Sequence, residues 1–136
     1  MSNRRQESEG SFTLISEQTL REIARRIPDL RWATIASING LVQTTYDPFG
    51  KERPDRISAM VSAVLTLGRR VFRKLQHGRL TYLAMAGAEG MLVVHPVGGE
   101  YVLAVSTPTE TEVDATVNAL AQVAPRLASA LYPSAR

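Results

Sequence analysis

Apolar positions along the chain change their period several times, and each change marks an element. Between Pro54 and Gln76 they recur at steps of four and three residues, Ile57, Val61, Val64, Gly68, Val71 and Leu75, with Met60, Leu67 and Phe72 widening the stripe. Such spacing lines one side of an α-helix. Pro54 and Asp55 suit its first turn, where a missing amide hydrogen costs nothing and a carboxylate meets the positive end of the helix dipole. Gly78 is expected to end it. The other side carries small residues in its first half, Ser58, Ala59, Ser62, Ala63 and Thr66, and cations in its second, Arg69, Arg70, Arg73 and Lys74. A solvated helix face favours long charged side chains, so the small side is expected to meet a partner surface, either within this chain or on another molecule.

Upstream, Met1 to Ser11 is polar and aperiodic, and a disordered tail is expected over residues 1–15. Ser16 reads as a helix N-cap, with Ile15 and Leu20 placed as a hydrophobic staple. Leu20, Ile23, Ala24 and Ile27 mark a short amphipathic helix that Pro28 and Asp29 stop. Trp32 to Ile38 and Leu41 to Tyr46 are extended runs around Asn39-Gly40, a pair suited to a tight hairpin turn. Downstream of the long helix, Leu80 to Ala86, Met91 to Val97 and Tyr101 to Ser106 are separated by short glycine-containing connections, which predicts an antiparallel meander. These runs are apolar at both alternating sets of positions, so the sheet should be covered on both faces. Thr107-Pro108-Thr109-Glu110 offers a capping box for a last helix. Val113, Val117, Leu120, Ala124, Leu127 and Leu131 trace its stripe, with a kink expected at Pro125. The order α-β-β-α-β-β-β-α makes an α+β sandwich, the long helix on one face of the sheet and the terminal helices on the other. One domain over residues 16–133 accounts for it.

Composition narrows the chemistry. The chain has 136 residues, 44% of them hydrophobic and 21% charged, close to an ordinary folded domain. It has no cysteine and two histidines, which leaves little for disulfide, thiolate or transition-metal chemistry. Neither a membrane-length apolar run nor a secretion-signal core is present, and a cytoplasmic protein without membrane insertion is expected. The formal charge of +3 is concentrated between Arg69 and Arg79. Such a patch suits phosphates, acidic lipid or an acidic partner, and equally a solvated helix end whose cations meet the negative end of the dipole.

No constellation for catalysis stands out. Gly87-Ala88-Glu89-Gly90 joins two strands and opens no helix, so it is no phosphate loop. His77 falls at a helix end and His95 beside Pro96. Glu110, Glu112 and Asp114 sit where a helix start favours carboxylates. Ser37, Ser106 and Thr107 have no base near them in sequence. The chain is therefore read as a non-enzyme with no cofactor or metal. Trp32, Tyr82 and Tyr101 lie on strands without the aromatic signature of an RNA-binding sheet, so no nucleic-acid partner is expected.

The run Ala33-Thr34-Ile35-Ala36-Ser37-Ile38-Asn39-Gly40-Leu41-Val42, the long helix ending near Gly78, and then Met91-Leu92-Val93-Val94 and Tyr101-Val102-Leu103-Ala104-Val105 resemble the Roadblock/dynein light chain family. The resemblance covers roughly Leu20 to Leu131. It implies a five-stranded antiparallel sheet and a homodimer in which the central helices, and the strand that carries Leu80 and Tyr82, meet their copies. Family members are generally not enzymes. They bind and regulate small Ras-like GTPases or serve as scaffolds in motor and signalling complexes. The resemblance thus implies a dimeric regulator of a GTPase nucleotide cycle, with an assembly module that leaves the nucleotide untouched as the alternative. An arginine finger drawn from Arg53, Arg56, Arg69 or Arg70 is a sharper version that the family does not generally use.

Overall fold

The computed structural model describes residues 2–109 and 111–131. Its elements are α1 (Ser2–Arg26), β1 (Trp32–Ser37), β2 (Val42–Tyr46), α2 (Pro54–Leu75), β3 (Leu83–Ala86), β4 (Met91–Val97), β5 (Tyr101–Thr107) and α3 (Val113–Leu131). The strands form one antiparallel sheet in the order β2-β1-β5-β4-β3. This is the expected α+β arrangement.

Strand alternation divides the core in two. Ala33 and Ile35 of β1, Val93 of β4, and Leu103 and Val105 of β5 face α1 and α3, where they pack with Leu20, Ile23, Leu120 and Leu127. The intervening positions, Ala36, Val94, Val102 and Ala104, face α2 and pack with Ile57, Val61 and Leu65. A sheet buried on both faces needs apolar residues at both phases of the two-residue period, as the sequence shows.

Four local features differ from expectation. The backbone of α1 is helical from Ser2, where an unstructured tail through residue 15 and a cap at Ser16 were expected; Met1 lies outside the described residues. Extending an existing helix adds one hydrogen bond per residue fixed, and Ser2 to Ile15 contains no proline and several good helix formers. The β1–β2 turn is not a two-residue Asn39-Gly40 loop, which would need positive φ at both residues. Only Gly40 has it (φ +88°). Its amide donates to the Ser37 carbonyl at 2.9 Å, and the Ser37 amide donates to the Leu41 carbonyl at 2.8 Å, so the loop is Ile38-Asn39-Gly40. A bulge follows at Gln43, because Ala36 pairs with Val42 while Ile35 pairs with Thr44.

The third difference is in β3, expected from Leu80, which pairs with β4 only from Leu83↔Val94 onward. The next partner positions on β4 are His95 and Pro96, and proline has no amide hydrogen to give a ladder. Fourth, α3 starts at Val113 because β5 extends through Thr107 and a turn closes from the Thr111 amide to the Pro108 carbonyl. The proposed cap partner Glu110 and the Leu131 side chain lie outside the described residues, as do residues 132–133 of the expected domain. Pro125 is accommodated inside α3.

Candidate functional site

Helix α2 begins at Pro54 with Arg53 as an extended N-cap residue. At its other end Gln76 caps the helix in the left-handed conformation (φ 55°), two residues before Gly78, whose φ is also positive (83°). The Gln76 amide donates to the Arg73 carbonyl at 3.2 Å and the His77 amide to the Phe72 carbonyl at 3.0 Å. These two bonds form a Schellman motif that satisfies the last carbonyls.

Two close approaches seat α2 on the sheet. A Cβ on Gly40 would lie 3.3 Å from the Ala59 Cα, and one on Gly68 would lie 3.0 Å from Leu80 Cδ2. The hairpin approach therefore depends on the missing side chain at Gly40, while the end of the Leu80 side chain packs against Gly68. Ser62 Oγ donates to the Ser37 carbonyl at 2.7 Å and pins the helix to the end of β1.

The residues buried beneath the helix are Ile57, Ser58, Val61, Ser62 and Leu65. Of the two partners expected for the small side, Ser58 and Ser62 meet the chain's own sheet, and Leu80 is likewise buried. Ala59, Ala63, Thr66, Arg70, Arg73 and Tyr82 are exposed, while Arg69 is half-buried with a guanidinium nitrogen 3.3 Å from the Gly98 carbonyl.

The outward surface instead presents large apolar side chains. Met60 is 55% exposed, Leu67 60% and Val71 44%, with Val64 half-buried beside them. Their steps of four, three and four residues form a second stripe, which the sequence reading had merged with the buried one. Met60 and Val64 also join Trp32, Met85 and Leu92 in lining an apolar groove between the helix and the β3 side of the sheet. Strand β3 is a sheet edge, paired on one side only, and Met85 on it is 49% exposed. An edge strand with free backbone groups thus lies beside an exposed apolar helix stripe, and each feature is one that folded chains commonly cover.

Cations flank this surface. Arg53 pairs with Asp55 at 3.4 Å, while Arg56 and Arg70 make no ion pair among the described residues. On the opposite side of the molecule Glu22 sits between Arg126, at 2.5 Å, and Arg26, at 2.9 Å. The hydrogen bond from Arg126 holds the Glu22 carboxyl below its ordinary range, aided by the charges of Arg126 and Arg26. Among the described residues no three His, Asp or Glu side chains converge as a metal site, and no helix is long and apolar enough to cross a membrane. The arrangement offers surfaces for association.

The family model of the Roadblock/LC7 domain matches residues 16–107. No curated protein matches the chain significantly in sequence. Among solved structures, the gliding protein MglB of Thermus thermophilus superposes with a TM-score of 0.79 at 14% identity, covering 90% of this chain and 93% of that one. MglB of Myxococcus xanthus gives a TM-score of 0.77 at 9% identity over 94% and 92% of the two chains. A Roadblock/LC7 domain from Streptomyces avermitilis gives 0.71 at 22% identity over 85% and 93%. At such identities the likeness is one of fold.

Proposed function

The chain belongs to the Roadblock/LC7 family, and from that premise we propose that it is a dimeric, non-enzymatic regulator that binds a small Ras-like GTPase and modulates its nucleotide cycle. The observation that carries the dimer is the pairing of an exposed apolar stripe, Met60, Leu67 and Val71, with the open edge of β3. Two copies joined there cover both features at once, the helices packing along their stripes and the sheets continuing through β3. The association residues are then Ala59, Ala63, Thr66, Arg70 and Tyr82, named from the sequence, together with Met60, Leu67, Val71 and Met85.

The two α2 helices form the platform that receives the GTPase. Any acceleration of hydrolysis comes from positioning the GTPase's own groups. Arg69 is a poor arginine finger, since it is half-buried and engaged with Gly98. Arg56 and Arg70 are better placed to touch a partner.

GTP hydrolysis by Ras-like GTPases from the same organism, measured with and without this protein, tests the reading. A changed hydrolysis or exchange rate for one of them, retained in Arg56→Ala and Arg70→Ala, fits regulation without a finger. Binding that leaves both rates unchanged would instead identify an assembly module.

A further inference from the structure

The end of the sheet farthest from the β3–β4 turn holds a feature that association through the α2 stripe leaves open. Because β3 pairs with β4 only from Leu83, the chain from Arg79 to Tyr82 passes His95 and Pro96 outside the ladder. Two adjoining grooves result, of about 430 and 540 Å³, which share Arg69, Arg79 and Leu80. Arg73 lines the first and His95 the second. Their size falls within the roughly 300–1,000 Å³ of small-molecule sites.

The chemistry of the walls is one-sided. Three guanidinium groups, Arg69, Arg73 and Arg79, line the grooves, no Asp or Glu does, and none of the three makes an ion pair among the described residues. Arg69 is held in place by its bond to the Gly98 carbonyl, and His95 by the 2.8 Å contact in which Nδ1 donates to the Pro96 carbonyl. Leu80, Pro96, Ala124 and Ala128 supply an apolar floor. At about 100° per residue, Arg69 lies on the flank of α2 roughly opposite Met60 and Val71, while the Arg73 side chain also lines a groove with Leu67, Val71 and Leu75. A second copy seated on the apolar stripe therefore leaves Arg69 accessible.

We propose that these grooves are a binding site for a phosphate-bearing anion. The planar fork of arginine matches the oxygens of a tetrahedral phosphate, and convergent arginines hold it by charge-assisted hydrogen bonds. The apolar floor takes the organic part of the ligand. A concave site of small-molecule size favours this over an acidic peptide, which needs a longer track. The phosphate belongs either to a soluble organic phosphate or to an acidic lipid headgroup.

Calorimetric titration of the full chain with pyrophosphate, at near-physiological ionic strength, tests the site. Saturable binding is expected, weakened by roughly tenfold or more in Arg69→Gln/Arg79→Gln and unchanged in Arg21→Gln on α1. Arg79→Gln alone changes only an exposed side chain, so it gives the same reading should the double variant fold poorly. Sedimentation with phosphatidylcholine vesicles, with and without phosphatidylglycerol, separates the sources. Association that needs phosphatidylglycerol and Arg79, and that pyrophosphate competes away, assigns a lipid headgroup; pyrophosphate binding without vesicle association assigns a soluble phosphate. Absence of saturable binding, equal loss in Arg21→Gln, or equally tight binding of a polyglutamate peptide would overturn the proposal.

Discussion

Single residues decide how closely α2 can sit on the sheet, and several have opposite expected effects. Ser58 and Ser62 are both buried, yet Ser62 Oγ donates to the Ser37 carbonyl whereas Ser58 Oγ has no partner among the described residues. Ser62→Ala should therefore cost about 1 kcal/mol, and Ser58→Ala should be neutral or stabilising, in paired urea denaturation curves. Gly40→Ala meets two penalties, a left-handed φ and a 3.3 Å approach to the Ala59 Cα. A loss of about 1–3 kcal/mol is expected from the same measurement. Neither serine's burial was legible in the sequence, because a small polar residue on a helix is equally at home under a sheet, against a partner or in water. The turn glycine was legible as a turn, but its contact with α2 is long-range.

At the scale of elements, the strands were the most readable part. Apolar residues at both phases of a two-residue period mark a sheet covered twice, whatever covers it. The helix faces were harder. Ile57, Val61, Val64, Gly68, Val71 and Leu75 keep a strict seven-residue repeat, and such a repeat drifts by roughly 20° per heptad around a straight helix. The line buried beneath α2 is Ile57, Val61 and Leu65, continued by half-buried Gly68 and Phe72, so the heptad starts in the core and ends in the open. A seven-residue repeat is also the spacing by which helices pair, so the merged stripe is compatible with the proposed association. The start of β3 was hidden for another reason: Pro96 acts on it from a neighbouring strand. Between α1 and α3, Glu22 bridges Arg126 and Arg26, and its carboxyl stays ionised below the usual carboxylate range. A depressed folded-state value means that this stabilisation is present above the unfolded-state value and is lost as pH falls through the folded one. The cluster is partly exposed, so its worth is about 0.2–1 kcal/mol per pair. Glu22→Gln should flatten the acid limb of the stability profile by that amount, as thermal melts from neutral to acid pH would record.

For the whole molecule, the fold places two surfaces on α2: an apolar stripe continuous with the β3 edge, and a cationic flank beside the β4–β5 turn. In the proposed dimer the first is covered by a second copy, and Arg69 on the second stays accessible. Solution mass by multi-angle light scattering, for wild type and Leu67→Glu, tests this division most directly. Leu67 is 60% exposed, so a carboxylate there leaves the core intact and charges only the stripe. A wild-type dimer and a folded monomeric variant, with unchanged circular dichroism, are expected. A monomeric wild type, or a variant that remains a dimer, would contradict the assignment of the α2 stripe as the surface through which the protein associates.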